Sequence, residues 1–410
     1  MATKGINTVR RNGWSGYSFP EHAVNPSLGA RSRLPAAHGS GNEIPRPSFT
    51  SRSSLLVAVL LLLVTGAQAL QADVYRCATS DEVFQALEVV EPGDTILLEG
   101  GKVYEIDKSF VLEANGTDKA RITFTSEDAT GQDRYAVITT VDGRKEEDMV
   151  ALLVHGSFWN ISRLEVAGKK VPLEDGYWDT NGFRLGMFLN GAGAHHNVIE
   201  DVHIHHTHNA AVAVRERSHH NQFRRMKIHH IGEWLSADYN AHEGEGFYLG
   251  SSKGLDEAGE RAIVHDILIE DSVLGPGLLG QFLDFKYATS RITARNNTLY
   301  CNEKTYGQEI VLMAGYANTV SGNTFVGSNE NLEYYIRVNN KKTPVPVRVD
   351  YLGQKDIPAP TGRDNTVVDN VFYIDNPDIP LIKNDLVKQD RSTLVASGNE
   401  KKSLADYEKP

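Results

Sequence analysis

The stretch from His195 to His206, HHNVIEDVHIHH, returns from His219 to His230 as HHNQFRRMKIHH. The two copies are offset by 219 − 195 = 24 residues. Apolar and polar residues alternate in both, as in short β-strands whose side chains point to opposite faces. A period of this length is typical of a solenoid, in which each repeat forms one coil and like residues stack on like residues. We therefore expect Ile204 to lie directly over Ile228 in the interior.

Other parts of the chain carry weaker copies of the same pattern. Each copy has two short alternating strands with a polar corner between them, and the corner residue is often Asn. In the opening repeat the corner residues are Asn197 and Asn221, and we expect the amide of one to bond to the amide of the other in the next coil. Because helical periodicity is nearly absent, the sequence predicts an all-β fold, a single right-handed parallel β-helix over residues 70–410. The further copies span residues 159–166, 263–269, 291–299, 318–325 and 365–372.

A solenoid needs its open end covered. Thr79-Ser80-Asp81-Glu82 has the form of a capping box, and an apolar helical stripe follows it, so residues 79–90 are predicted to form a short capping helix. Pro92-Gly93 then turns the chain into the first predicted strand, Thr95–Leu98. The segment Lys341–Asp364 is rich in Pro and lacks alternation, and we expect it to be an insertion outside the coils.

The N-terminal part differs from the rest in composition. Residues 1–53 are rich in Ser, Pro, Gly, Asn and Arg without hydrophobic periodicity, and are predicted to be disordered. Residues 54–69 form an apolar run ending in Ala-Gln-Ala, which resembles a secretory signal peptide cleaved after Ala69. Since the run is shorter than the roughly 20 residues of a spanning helix, we favour secretion over a signal anchor.

The formal net charge of −11 argues against nucleic acid as a partner, which would require a basic surface. The chain has two cysteines, Cys77 and Cys301, too few for a disulfide scaffold, and the sequence leaves their pairing open. Three N-glycosylation sequons begin at Asn115, Asn160 and Asn296. We expect a secreted monomer.

The histidines of the two copies face outward, because the isoleucines take the inward positions. We expect His205 to stack over His229, and His206 to lie near His230. A transition-metal site is one interpretation, since imidazole is a common metal ligand. The other is a ladder of stacked rings, which the sequence favours because it shows no acidic or Cys partner at metal-site spacing.

Other strands carry outward polar residues that the architecture does not require. Neighbouring strands lie about 4.8 Å apart, so these residues would line a groove several sugar units long. Adjacent carboxylates bind hard cations such as Ca²⁺, arginines pair with ligand carboxylates, and a desolvated lysine can act as a base. We assign Glu243, Glu245 and Asp284 to a Ca²⁺ site, Arg184, Arg215, Tyr248 and Arg337 to substrate binding and Lys286 to catalysis, with Glu309 in the same column.

The pattern from Gly182 to Phe325, with GEGFYLGS ending at Ser251 and LDFK ending at Lys286, resembles secreted β-helix proteins of the pectin-lyase-like superfamily. It is most similar to polysaccharide lyase family 9, the calcium-dependent pectate lyases. That resemblance implies Ca²⁺ on an acidic strand and a lysine base on a following coil. The interval 286 − 245 = 41 residues suits that pairing, although glutamates stand where the family has aspartates and Tyr248 replaces its last acid.

The leading hypothesis is a lyase that cleaves a uronate polysaccharide, such as pectate, by β-elimination. A glycoside hydrolase on the same fold is the rival enzyme, and it would use two carboxyl groups such as Glu245 and Asp284. A non-catalytic glycan-binding or wall-structural β-helix is the third hypothesis, because the fold alone does not decide function.

Overall fold

The computed structural model describes residues 72–127, 135–141, 149–169, 171–172, 178–179, 182–232, 243–251, 263–301, 308–329, 331–339, 362–386 and 391–408. The expectations for residues 1–53 and 54–69 and for cleavage after Ala69 lie outside these residues, and so do all but the last three residues of the insertion expected at 341–364.

In these ranges the chain is almost entirely β-structure, with one α-helix, α1 (Ser80–Val89), and two 3-10 turns at Arg391–Thr393 and Leu404–Asp406. The strands are β1 (Val74–Cys77), β2 (Thr95–Leu98), β3 (Val103–Ile106), β4 (Phe110–Leu112), β5 (Ile122–Ser126), β6 (Ala136–Thr140), β7 (Val150–Val154), β8 (Trp159–Ala167), β9 (Val171–Pro172), β10 (Trp178–Asp179), β11 (Leu185–Asn190), β12 (Val198–His205), β13 (Ala210–Arg215), β14 (Gln222–Arg224), β15 (Lys227–His229), β16 (Glu245–Leu249), β17 (Val264–His265), β18 (Leu268–Glu270), β19 (Val273–Leu274), β20 (Leu283–Phe285), β21 (Thr289–Ser290), β22 (Thr293–Arg295), β23 (Thr298–Tyr300), β24 (Glu309–Met313), β25 (Thr319–Ser321), β26 (Thr324–Val326), β27 (Tyr334–Val338), β28 (Thr366–Val368), β29 (Val371–Ile374), β30 (Ile382–Asn384), β31 (Val395–Ser397) and β32 (Glu400–Ser403).

The strands stack in parallel columns. Nine of them form one sheet in the order β30-β27-β24-β20-β16-β13-β11-β7-β4, here called the groove sheet. Another nineteen form a sheet of two columns, which are joined where the long strands β8 and β12 run through both. Strands β9 and β10 form a small antiparallel pair, and β17 and β21 a parallel one. Each coil adds a strand to the columns, so the predicted parallel β-helix is confirmed.

The predicted register of the opening repeat is also confirmed. Ile204 pairs with Ile228, and both side chains are fully buried. The backbone N–H of Asn197 donates to Oδ1 of Asn221 at 3.0 Å, and Asn197 Nδ2 donates to a carbonyl of the preceding coil. The interior is therefore a continuous apolar stack bordered by buried amides.

A second ladder of buried asparagines lies at the bend between the two columns of the large sheet. Asn297, Asn323 and Asn370 pass hydrogen bonds of 2.9–3.0 Å from coil to coil through backbone and side-chain N–H groups. The residue before each asparagine has a left-handed backbone, as in Gly322 (φ 63°) and Asp369 (φ 57°). This conformation turns the chain between the columns, and Asn, Asp and Gly adopt it at low cost.

The capping helix is confirmed. Thr79 is the N-cap, its side chain accepts from Glu82 N, and the Glu82 side chain accepts from the Thr79 backbone. Buried Val83 and Ala86 face the end of the coil stack. Thr95–Leu98 is not the first strand, however: β1 precedes the helix and pairs with β2. Sequence reasoning missed β1 because it stands before the cap and carries no asparagine corner.

Cys77 and Cys301 are both buried and both free, so they do not form a disulfide. No helix in the described part of the chain is long and apolar enough to cross a membrane.

Candidate active site

The outer face of the groove sheet carries the predicted polar column. At the start of β20 two successive residues, Phe282 and Leu283, both point into the core, so the next residue, Asp284, points outward. The next outward row places Tyr248 beside Asp284 and, after Leu312, leads to Arg337. The structure therefore brings residues from β16, β20 and β27, far apart in sequence, onto one surface.

Tyr248 lies at the centre of this surface, between two cations. The guanidinium carbon of Arg215 is 4.5 Å from its ring centroid, and Nζ of Lys286 is 4.9 Å from it. Burial raises the pKa of Tyr248, while the charges of Arg215 and Lys286 oppose that rise. The phenol is consequently neutral near neutral pH and able to donate a proton.

One hydrogen-bond donor of Arg215 has no acceptor among the described residues. This donor is the buried Nε. A buried donor without an acceptor is costly unless a ligand supplies one. The arrangement therefore suits an anionic ligand above Tyr248.

Lys286 forms an ion pair with Asp284, which is fully buried, while 19% of the Lys286 side chain is exposed. Burial lowers the pKa of Lys286, but Asp284, Tyr248 and Glu245 raise it more, and the net shift is upward. The expectation of a lowered pKa for this lysine is therefore wrong for the free site. Sequence reasoning assigned Asp284 to Ca²⁺, whereas in the structure its carboxylate pairs with the Lys286 ammonium.

The other acidic residues behave differently. Burial, reinforced by Asp284, raises the pKa of Glu245 to about 8, so this side chain is neutral near pH 7. Burial also raises the pKa of Glu243, whereas Arg184 and a hydrogen bond to Asn209 lower it. Glu243, just before β16, and Arg184, just before β11, thus interact with each other.

Arg337 is held by two carboxylates. Its Nε donates to Asp385 Oδ2 at 3.0 Å, and its Nη1 lies 3.8 Å from Glu309 Oε2. Gln281 Nε2 donates to Glu309 Oε1 at 3.0 Å. Gln281 and Asp385 were not predicted; their only sequence signal is their position next to β20 and β30, which shows once the coils are in register.

The three carboxylates assigned to Ca²⁺ do not converge. Within the described ranges, sets of three or more acidic, His or Cys donor atoms close enough to share an ion occur at two other places, which include Glu165 and Asp266. Glu243, Glu245 and Asp284 form no such set, and the ammonium of Lys286 already lies against Asp284. Ca²⁺ takes six to eight oxygen ligands, so these residues fit it poorly.

The histidines stack as predicted. The rings of His205 and His229 are 5.1 Å apart and nearly parallel, and those of His206 and His230 are 5.3 Å apart. The expectation that these histidines lack an acidic partner is wrong, because Glu165 of the preceding coil lies 3.1 Å from His205 Nε2. Spacing along the chain does not reveal neighbours that come from another coil.

Comparison with solved structures relates this fold to polysaccharide lyases. The chain is similar to the alginate lyase from Paenibacillus sp. str. FPU-7, with a TM-score of 0.64 and 23% identity over 80% of this chain and 95% of that one. Its TM-score to pectate lyase Pel9A is 0.48, with 13% identity over 82% and 81% of the two chains. For the PL6 family polysaccharide lyase Pedsa3628 from Pseudopedobacter saltans the TM-score is 0.44, with 11% identity over 81% and 93%.

No protein-family model matches the sequence, and no curated protein matches it. Polysaccharide lyases are thus among the structural neighbours of this β-helix, and a pectate lyase is one of several. At these identities the likeness shows the fold, and membership of family 9 stays a prediction.

Proposed function

We propose that the protein is a lyase that cleaves a uronate polysaccharide by β-elimination on the outer face of the groove sheet. The observation that carries the proposal is the grouping of Arg215, Tyr248 and Lys286 around one point, with Asp284 beneath the lysine. The reaction needs three things there: a cation for the uronate carboxylate, a base for the C5 proton and an acid for the leaving oxygen.

Arg215 supplies the cation. Its side chain is partly exposed, its guanidinium lies over the Tyr248 ring, and a guanidinium pairs well with a carboxylate. Neutralising the C6 carboxylate acidifies the adjacent C5–H bond. Arg337 and Arg184, held by carboxylates at the edges of the surface, would bind the carboxylates of neighbouring sugars.

Lys286 is the proposed base, and Asp284 is the group that accepts its proton when the substrate binds. Burial lowers the pKa of Lys286 and raises that of Asp284. A bound polysaccharide excludes further water, which strengthens both effects and moves the shared proton from Nζ to the carboxylate. The resulting neutral amine takes the C5 proton.

Tyr248 completes the reaction as the proton donor. As C5 loses its proton, its electron pair forms the C4–C5 double bond, the C4–O4 bond breaks, and the neutral phenol protonates O4. The substrate cannot reach Glu245 or Asp284 directly, since they are 2% and 0% exposed. This burial also disfavours a hydrolase that uses these two carboxyl groups, because both must contact the sugar or its attacking water.

The arginines and a solved neighbour that is named an alginate lyase support a uronate polymer as the substrate class. We propose a polyuronate such as alginate or pectate. Secretion through residues 54–69 and a monomeric state belong to the same proposal.

The test incubates the full chain with polymannuronate, polyguluronate and polygalacturonate and records the ultraviolet absorbance of the unsaturated ends. We expect absorbance to rise with at least one polymer. New reducing ends without absorbance would instead identify a hydrolase. No product from any of them, with retained glycan binding, would identify a binding protein.

The role of Lys286 is tested by Asp284→Asn. This change removes the negative charge that raises the Lys286 pKa, so the amine is neutral at lower pH. In the wild-type enzyme Asp284 takes the proton of Lys286, whereas in Asp284→Asn the amine must lose its proton to solvent before the substrate binds, so kcat/KM should gain a rising limb with pH that the wild-type profile lacks. An Asp284→Asn variant with the same pH dependence as the wild type would show that Lys286 is not the base.

Calcium gives the alternative way to neutralise the substrate carboxylate, through Glu243, Glu245 and Asp284. We expect activity to survive a chelator, since Arg215 supplies the positive charge. Activity that is lost with the chelator and restored by added Ca²⁺ would support the calcium-dependent mechanism.

A further inference from the structure

A second group of chemically active side chains lies on the large sheet, away from the groove sheet, on three consecutive coils. Glu165 is on β8, His203 and His205 are on β12, and His229 is on β15. Glu165 pairs with His203 across one pair of strands, and His205 pairs with His229 across the next. The four side chains therefore face outward together.

The donor atoms of Glu165, His203 and His205 converge, and that of His229 lies against His203. One ligand atom each from Glu165, His203 and His205 lie within 4.8 Å of one another, and Glu165 Oε1 is 3.1 Å from His205 Nε2. His203 Nε2 faces His229 Nε2 at 2.6 Å. Two imidazole nitrogens that face each other share one proton in a hydrogen bond, or both offer lone pairs to a cation.

The rings are also oriented for a cation. His205 and His229 each use Nδ1 in a 2.6 Å hydrogen bond to Nδ1 of the next residue, His206 or His230, which leaves Nε2 directed at the cluster. A hydrogen bond to the other ring nitrogen is the usual way in which a metal-binding imidazole is fixed.

We propose that Glu165, His203, His205 and His229 bind a transition-metal ion of the Zn²⁺ type. Three imidazole nitrogens and one carboxylate oxygen match the ligands and coordination number of Zn²⁺, whereas Ca²⁺ takes oxygen ligands. The ion joins three successive coils, whose stacking is otherwise held by strand pairing and side-chain packing. The site is independent of the proposed lyase reaction.

The other histidine corner provides a matched control within the same fold. His220, His265 and Asp266 also bring three donor atoms together. There, however, Arg291 Nε and Nη2 donate to both oxygens of Asp266 at 2.6 and 2.5 Å. The carboxylate is already neutralised, so this corner should bind a divalent ion much more weakly.

The experiment titrates the metal-free full chain with Zn²⁺ alone, by calorimetry and by thermal unfolding, with Ca²⁺ in parallel. We expect one Zn²⁺ per chain, a rise in the unfolding temperature with Zn²⁺ concentration, and no such rise with Ca²⁺. Co²⁺ in place of Zn²⁺ should give the strong visible absorption of tetrahedral coordination.

His203→Ala should weaken Zn²⁺ binding by more than the about 10–100-fold that loss of a hydrogen-bond partner of a metal ligand costs. Glu165→Gln, which keeps the shape of the side chain, should also weaken it, and His265→Ala should leave it unchanged. Full Zn²⁺ binding by both His203→Ala and Glu165→Gln, or its loss in His265→Ala, would overturn the proposal.

Discussion

The asparagine ladder and the Tyr248 surface lie in the same solenoid but follow opposite rules. Along the ladder successive coils present the same residue, and Asn297, Asn323 and Asn370 each donate their backbone N–H to the asparagine of the next coil. In the row of the groove sheet that contains Tyr248 the residue changes from coil to coil, and Tyr248, Asp284, Leu312 and Arg337 follow one another in register. The residue that repeats from coil to coil stabilises the fold. The polar residues that do not repeat are not required for folding and are therefore candidates for function.

The largest effect expected from this contrast is on catalysis. Lys286→Ala should lower kcat/KM by about 10²–10⁴-fold, as expected for loss of a general base, while the unfolding temperature changes little. Lys286→Arg should restore the charge but little activity, because guanidinium is far harder to deprotonate. Steady-state kinetics on the polymer that is cleaved, with thermal unfolding of each variant, measures this.

Lys383→Ala is the matched control. Lys383 pairs with Arg337 on the same sheet face, but its side chain is 50% exposed and lies at the end of the groove sheet. Its loss should leave kcat nearly unchanged. If the two lysine variants were equally active, the groove would carry no base at Lys286.

The next effect is on stability, and it belongs to the ladder. Asn323→Ala removes the acceptor of two Asn297 donors and the donor to Ala294 O and Asn370 Oδ1. A buried group without its partner costs about 1–3 kcal/mol, so the variant should lose at least about 2 kcal/mol of unfolding free energy.

Asn399→Ala at the end of the same ladder provides the comparison. Asn399 is only partly buried, and water can replace its bonds to Asn370. Urea unfolding followed by circular dichroism should show a clearly smaller loss than for Asn323→Ala. Equal losses would mean that burial of the ladder does not matter.

A third prediction concerns pH and the neutral acid beneath the groove. The folded state holds the Glu245 pKa at about 8, above its ordinary value of 4.5, so between these values the folded chain binds more protons than the unfolded one. Its contribution to stability is full below pH 4.5 and is lost as pH rises through about 8, with a slope of at most about 1.4 kcal/mol per pH unit.

The interval from pH 6.5 to 8 isolates this effect, because the ladder histidines, with pKa values lowered to about 3–4, destabilise the fold only below 6.5. Unfolding temperatures across the interval should fall for the wild-type chain and fall less for Glu245→Gln. A wild-type slope that the substitution leaves unchanged would assign the effect to another group.

The smallest effect is expected at a bend position. Gly322 has φ 63°, where equivalent coils have Asn296 or Asp369, and an added Cβ would approach the Asn296 side-chain oxygen at 2.9 Å. Gly322→Asn should change the unfolding free energy by less than about 1 kcal/mol, since Asn tolerates this conformation. Gly322→Val should lose about 1–2 kcal/mol more in the same urea titration.

The sequence alone determined the architecture. The 24-residue repeat placed Ile204 over Ile228 and Asn197 over Asn221, because a solenoid brings equivalent positions of successive coils together. The capping helix could also be predicted from the sequence, since its start depends on four adjacent residues. Local patterns and simple periods are properties of the chain itself.

Only the tertiary structure decided which charges meet. It paired Lys286 with Asp284, placed Tyr248 between two cations, and left the three carboxylates assigned to calcium without converging donor atoms. It also brought together Glu165 and His205, which lie on neighbouring coils and are 40 residues apart in the sequence. A pKa or a set of metal ligands depends on distances of a few ångströms between side chains on different coils. The segments between coils vary in length without a period, so these distances cannot be predicted from the sequence.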